Sequence, residues 1–260
     1  MSKVNPRQVI FSEFFGVISL DFLVTGESHS CPYMPGRIAR EEVFRDSTFP
    51  PELYHDFMNC GFRRAGFIFY RPLCRGCADC MPLRIPARQF KPSKSQRRVM
   101  RKNQDVSVKA RKPRFTPEKA KIYAGYIEVQ HDSTSPSSPE DLKRFLYSSP
   151  VDTIEFEYYV KDRLAGVGIV DRCSRSLSSV YMYYDPEFSN RSLGTYSAIR
   201  EIQFCRDRSI PYYHMGFWIP GCPSMSYKSR FRPHEILGAD GRWVPGSMID
   251  RSHKEIRETR

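Results

Sequence analysis

Hydrophobic and polar positions are most regularly patterned between residues 150 and 220, where the chain predicts one element after another. Ile154 to Val160 and Leu164 to Val170 are rich in β-branched and aromatic residues and flank the polar triplet Lys161-Asp162-Arg163, which reads as a β-hairpin. Val180 to Tyr184 reads as the next strand. Apolar residues then recur at Leu193, Tyr196, Ile199, Ile202 and Cys205, while Arg200, Glu201, Gln203, Arg206 and Asp207 fill the other faces, which predicts an amphipathic helix. Pro211 stops it, and Tyr212 to Ile219 reads as a further strand. Upstream, Ser138 as N-cap with Pro139 and Asp141 behind it predicts a short helix ending near Tyr147, since a hydroxyl cap and an acidic first turn satisfy the free N–H groups there. The stretch from His131 to Asp141, whose end opens this helix, is a loop by composition.

Chemistry enters at the junction Arg191-Ser-Leu-Gly194-Thr-Tyr196, between a strand and a helix. A helix start presents unpaired N–H groups that hold a phosphate or a developing oxyanion. Backbone N–H groups near Gly194 are therefore candidates for that role, and Tyr184 and Asp185, at the end of the preceding strand, for orienting an amine and accepting its proton. Hairpin, strand, glycine turn, helix, strand is also the order of the N-acetyltransferase fold, so the expected class is α+β: an acetyltransferase-like mixed sheet with flanking helices. In that fold an Arg/Gln-x-x-Gly-x-Gly/Ala turn cradles the donor's pyrophosphate. Here Tyr196 stands where a small residue is expected, and its bulk counts against an acyl-CoA donor.

Cys74-Arg-Gly-Cys77-Ala-Asp-Cys80 has the knuckle spacing that lets thiolates face one metal ion, with Cys31 as the natural fourth ligand and Cys60 in reserve. Four thiolates suit zinc or an iron–sulfur cluster. The alternative is that these thiols are small buried hydrophobes, the reading favoured for Cys173, Cys205 and Cys222. After the cluster come Lys91, Lys94, Arg97, Arg98, Arg101 and Lys102. If Gln96 to Gln104 is helical, Arg97 and Arg101, with Arg98 beside them, lie along one side and form a stripe able to follow a phosphate backbone.

The charge balance strengthens that reading. The 260 residues carry 41 Lys and Arg against 29 Asp and Glu, a formal net charge of +12, and such an excess attracts polyanions. With 40% hydrophobic residues a substantial core is available, in a smaller Cys-containing N-terminal domain over residues 1–113 and a catalytic domain over 114–260. The apolar run from Val9 to Val24 is broken by Glu13 and Asp21 and lacks the flanks of a signal peptide or membrane span, so no membrane partner is expected. Eight cysteines, several closely bunched, suit a reducing compartment and a cytoplasmic protein.

Several motifs occur together in order: Cys31-Pro-Tyr-Met-Pro-Gly-Arg37, Gly61-Phe-Arg-Arg-Ala-Gly66, the Cys74 to Pro86 segment, Ser95-Gln-Arg-Arg98, Tyr184-Asp-Pro186, Ser192 to Arg200, and Met215 to Lys228. They resemble the aminoacyl-tRNA–protein transferases, and the bacterial branch in particular, over nearly the whole chain. The resemblance implies transfer of leucine from leucyl-tRNA to proteins beginning with Asp or Glu, which marks them for N-degron degradation. No cofactor is required for such chemistry. Eukaryotic members bind an iron–sulfur cluster through their cysteines but carry Cys-Gly-Tyr-Cys where this chain has Cys31-Pro-Tyr-Met34. An acidic N-terminus demands a cation, and Arg37, Arg63, Arg64, Lys228 and Arg232 are the candidates, with Arg37 and Lys228, and Tyr227 beside it, preferred by motif position. Other readings are an arginyl donor, an acyl-CoA-dependent N-acetyltransferase, or a zinc-ribbon nucleic-acid binder.

Overall fold

The structure is a computed structural model that describes residues 23–130 and 138–249. Most of the Val9 to Val24 run, and most of the loop expected from His131, lie outside the described residues. Fourteen strands are described: β1 (Val24–Thr25), β2 (His29–Ser30), β3 (Ile38–Ala39), β4 (Glu41–Arg45), β5 (Arg63–Ala65), β6 (Ile68–Pro72), β7 (Met81–Pro86), β8 (Val106–Arg111), β9 (Thr153–Val160), β10 (Arg163–Cys173), β11 (Ser176–Tyr184), β12 (Tyr212–Trp218), β13 (Glu235–Leu237) and β14 (Trp243–Pro245). The helices are α1 (Pro51–Asn59), α2 (Lys94–Lys102), α3 (Pro117–Gln130), α4 (Pro139–Leu146), α5 (Leu193–Asp207) and the short α6 (Pro223–Ser226). Among the described residues no helix is long and apolar enough to cross a membrane.

The elements predicted between residues 138 and 219 are present. The hairpin forms as β9 and β10, antiparallel in register from Arg163↔Val160 to Asp171↔Thr153, with Lys161 at φ 55° in its turn. An eight-stranded mixed sheet runs in the order β14-β13-β7-β12-β11-β10-β9-β8. One face is covered by α3 and α4, whose Ile122, Tyr123, Ile127, Leu142 and Leu146 pack on Leu164, Val167, Ile169 and Tyr183. The other is covered by α5, whose Leu193, Tyr196, Ile199, Ile202 and Cys205 are buried as the periodicity predicts. This is the expected α+β class, a mixed sheet with flanking helices.

A smaller antiparallel sheet, β1-β4-β6-β5, packs with α1 around Phe44, Phe49, Phe57, Phe62 and Phe69. Strands from both sides of residue 113 share the large sheet, because β7 pairs with β12 and β13, and β8 with β9.

One irregularity positions the site. Strands β11 and β12 are parallel neighbours but pair only at Ser176↔Tyr212, Leu177↔Tyr213 and Ser178↔His214. Beyond Ser178 both continue without pairing to each other, and each is bulged close to the point of separation. The β10–β11 register skips Val180, and the β12–β7 register skips Met215. Gly216 follows at φ +83°, a conformation that glycine adopts without strain. A gap therefore opens in the sheet, with the start of α5 following β11.

Candidate active site

One side of the gap is the entry to α5. A 3₁₀ turn (Pro186–Arg191) links β11 to the helix, and the left-handed residue is Ser192 at φ 55°, not Gly194. Gly194 is the second residue of α5, and a Cβ built there would meet nothing within 4 Å. Its backbone thus borders open space, as an anion-binding helix start requires. Tyr196 corrects an expectation: it is buried and edge-on to Tyr158 at 6.0 Å between ring centroids. Its bulk therefore lies in the core instead of crowding the turn, and it says nothing against a pyrophosphate-bearing donor. Tyr184 is half-buried with its ring 5.0 Å from that of Tyr126. The Asp185 carboxylate accepts from the Glu187 N–H at 3.0 Å and pairs with Arg163 at 3.1 Å.

Helix α2 carries the basic stripe to this entry. Ser93 and Gln96 cap each other's backbone N–H groups in a capping box, which fixes where the helix begins. Lys94, Arg97, Arg98 and Arg101 are all exposed on it. At its other end the Asn103 amide donates to the Arg191 carbonyl at 2.9 Å and Lys102 to the Asn190 carbonyl at 2.5 Å. Arg191 itself forms a two-pronged pair with Asp105 at 2.8 and 2.9 Å. The cationic helix is thereby tied to the turn before α5.

Buried cations stand near β12, on the other side of the gap. Four arginines are buried, and three have carboxylate partners: Arg64 with Asp171, Arg71 with Glu42, Arg84 with Glu235. Arg63 differs. It is 4% exposed, and its Nη1 donates to the Phe62 carbonyl at 2.8 Å, but its Nε and Nη2 meet no partner among the described residues. Its guanidinium lies 5.6 Å from the centroid of the Phe217 ring. Lys228, 9% exposed, donates to the carbonyl of the same Phe217 at 2.9 Å. Burial, then the neighbouring Arg63, pushes the Lys228 ammonium down to about 7, and burial pushes Arg63 down to about 10. Two cations thus flank one residue of β12 with no carboxylate between them. Tyr227 is half-buried beside Lys228, and burial raises its hydroxyl to about 12.

Of the other sequence candidates, Arg37 is exposed and already held by Asp79 at 2.6 Å, with Cys77 Sγ at 3.5 Å. The cysteines Cys31, Cys74, Cys77 and Cys80 do gather: burial and the nearby Cys74, Cys31 and Cys77 thiols push Cys80 up to about 12. Among the described residues, however, no three His, Cys, Asp or Glu side chains are arranged to hold a metal ion. Glu201, placed by helical periodicity on a polar face of α5, is instead 1% exposed. Its i, i+4 neighbour Ser197 was the available signal, since the pair puts a second polar side chain on the inward face.

Comparison with known proteins shows which family the chain is similar to. The model of the arginine-tRNA-protein transferase N terminus matches residues 29–98, and that of its C terminus residues 118–238. An aspartate/glutamate leucyltransferase of Hahella chejuensis is 34% identical over 230 residues, covering 87% of this chain and 97% of that one. One of Marinobacter nauticus is 37% identical over 219 residues, covering 83% and 92%. Among solved structures, L-PGS from Bacillus licheniformis aligns with a TM-score of 0.42 at 14% identity over 68% of this chain and 52% of that one. With both family models matched in order and relatives aligned over most of their own length, the chain belongs to the arginine-tRNA-protein transferase family.

Proposed function

We propose that this protein is an aspartate/glutamate leucyltransferase, taking leucine from leucyl-tRNA and joining it to the α-amine of proteins that begin with Asp or Glu, which marks them for N-degron degradation. The observation that carries the acidic preference is the Arg63–Lys228 pair, buried without a carboxylate of its own. Burying charge without a partner is costly, so a site that does so is completed by an incoming anion. An aspartyl or glutamyl side chain supplies one, and a fork such as that of Arg63 meets a carboxylate with two hydrogen bonds.

The donor ester is already activated, and a peptide α-amine has a pKa of about 8, so a useful neutral fraction exists at neutral pH. Positioning then dominates, worth roughly 7–11 kcal/mol for well-oriented groups. The gap between β11 and β12 leaves strand backbone unpaired for the two substrates to meet. N–H groups at the α5 start face the developing oxyanion or the donor's terminal phosphate. No covalent enzyme intermediate is required.

Purified protein given labelled leucyl-tRNA is expected to label peptides beginning with Glu or Asp, and not the same peptide beginning with Ala. Arginyl-tRNA and acetyl-CoA, run as alternative donors, are expected to give no product. Labelling regardless of the first residue would remove the proposal. The tRNA contact makes its own prediction. Replacing Lys94, Arg98 and Arg101 together by Ala is expected to flatten the plot of log binding constant against log salt by about 0.7–0.9 per lost phosphate contact. An unchanged slope would move the tRNA elsewhere on the surface.

A further inference from the structure

Arg84, Asn59, His55, Ser176 and His214 form one continuous hydrogen-bonded chain at the root of the gap. Arg84 Nη1 of β7 donates to Asn59 Oδ1 at 2.9 Å, and Asn59 Nδ2 lies 3.0 Å from His55 Nε2, both residues being on α1. His55 Nδ1 lies 2.7 Å from the Ser176 hydroxyl of β11, which in turn lies 3.2 Å from His214 Nε2 of β12. Arg84 is itself held fast. Its Nε donates to Glu235 of β13 at 2.7 Å, and its guanidinium carbon lies 3.9 Å and 4.2 Å from the ring centroids of Tyr212 and Trp243. His55, Ser176 and His214 are all buried.

Arg84 sets the direction of the chain. A guanidinium only donates, so Asn59 turns its carbonyl oxygen to Arg84 and its NH2 group to His55. His55 Nε2 then accepts, which leaves the His55 proton on Nδ1 and gives it to Ser176. A serine hydroxyl has one proton of its own, and here its acceptor is His214 Nε2. His214 therefore carries its proton on Nδ1, which meets no partner among the described residues. The opposite tautomer would strand two groups, the Ser176 proton and the Nδ1 lone pair. Both imidazoles are neutral in this arrangement, in keeping with their surroundings. Burial, then Arg175 and Arg84, pushes His55 down to about 4, and burial pushes His214 well below its ordinary value.

The chain ends where β12 leaves β11. His214 is the last residue of β12 to pair with β11, and Met215 after it is bulged. Pro82 and Arg84, two apart on β7, point to one face, and their partners across the ladder are Phe217 and His214. The bulge thus puts His214 and Phe217 on the same face although three residues separate them. Phe217 is the residue that the two unpaired cations flank, with Lys228 donating to its carbonyl at 2.9 Å and Arg63 lying 5.6 Å from its ring centroid.

We propose that His214 is a positioning residue for the acidic acceptor, held by the Arg84–Asn59–His55–Ser176 chain so that β12 presents Phe217, and with it Arg63 and Lys228, at a fixed place beside the gap. This rests on the aminoacyl-transfer reading above. His214 acts through β12 and touches no reacting atom. The entry to α5 is held separately, by Lys102 and Asn103, so losing the chain leaves the tRNA end of the site in place.

Two measurements test this. Imidazole nitrogen NMR of the wild-type protein at neutral pH should show His55 and His214 as neutral rings protonated at Nδ1. An Nε2–H ring or an imidazolium at either position would overturn the polarity of the chain. In transfer assays His214→Asn, whose side chain is too short to reach Ser176, should raise KM for a Glu-initiated peptide roughly 10-fold, the worth of one net hydrogen bond. kcat and KM for leucyl-tRNA should stay unchanged. His214→Gln, whose longer amide places an oxygen near the Nε2 position to accept from Ser176, should recover most of that loss. Ser176→Ala cuts the same chain from β11 and should raise the peptide KM alike, which decides the matter if the Asn variant does not fold. Asn and Gln variants with equal KM, or a fall in kcat at unchanged KM, would overturn the positioning role. A wild-type protein with both Nδ1–H rings that labels no Glu-initiated peptide would overturn the transfer reading, and the positioning role with it, while the polarity of the chain would stand.

Discussion

Arg63→Met is expected to raise thermal stability while lowering kcat/KM for a Glu- or Asp-initiated peptide by about 30-fold or more, because truncating one member of a buried charge pair costs at least ~2 kcal/mol once the partner is bound. The two effects separate because the cation is uncompensated in the free protein. Its Nε and Nη2 lack partners among the described residues and its surroundings include the Phe217 ring, so an apolar side chain of similar length removes a desolvation cost and keeps the packing. The bound state loses the groups that meet the substrate carboxylate. Lys228→Met should behave alike, with a pH signature. The folded-state pKa of Lys228 is about 7, against an ordinary 10.5. Between those values the unfolded chain holds the extra proton, so wild-type stability rises with pH. The stabilisation gained by Lys228→Met should therefore be largest below pH 7 and shrink as pH rises. Calorimetry across pH, paired with transfer assays on Glu- and Ala-initiated peptides, checks both variants. A lowered melting temperature with undiminished Glu-over-Ala preference would refute the assignment.

The contrast among the buried arginines explains what a sequence shows of such a site and what it hides. Arg63 and Arg64 are adjacent in one motif, Gly61-Phe-Arg-Arg-Ala-Gly66, and nothing in composition separates them. Strand geometry does, because neighbours on β5 point to opposite faces. Arg64 meets Asp171 of β10, 107 residues away in sequence, whereas Arg63 meets the Phe217 ring of β12. Only the fold supplies those partners. Local signals fared better. The β9–β10 hairpin, the Ser138 cap of α4, and the buried face of α5 all follow from short-range pattern, and the structure has each of them. Glu201 was misplaced for the same reason that Arg63 was ambiguous. A helical pattern marks which positions lie on a face, but not that a tyrosine-lined pocket from β9 and β12 makes room for a carboxylate. The parallel β11–β12 pair was foreshadowed by the strand–helix–strand order, since parallel neighbours need a crossover. Their early separation was not, because it depends on bulges at Val180 and Met215 that no turn residue announces, apart from Gly216.

Asp171→Ala is expected to cost about 3–5 kcal/mol of stability, the range for breaking a buried ion pair from one side. Asp171 is one point where the small sheet and α1 are fastened to the large sheet. Its carboxylate on β10 receives Arg64 Nε at 2.7 Å and Nη2 at 2.6 Å from β5, the Tyr54 hydroxyl at 2.9 Å from α1, and the Thr153 hydroxyl at 2.7 Å from β9. Both side chains of the ion pair are fully shielded, at 0% exposure. Removing the carboxylate strands a guanidinium and a phenol in a core built from Phe44, Phe49, Phe57 and Phe69, where water cannot replace the lost acceptor. Asp171→Asn, which keeps the shape and one acceptor oxygen, should cost less, and the double variant Asp171→Ala with Arg64→Met should recover much of the loss because no charge is left unpaired. Urea denaturation of the three variants measures this directly. Since Arg63 follows Phe62 and precedes Arg64 on the same short strand, the anchor also sets where the unpaired guanidinium sits against β12. The double variant is therefore expected to regain stability without regaining full transfer to Glu-initiated peptides, and recovery of both together would show that the anchor and the acid-reading cation are independent.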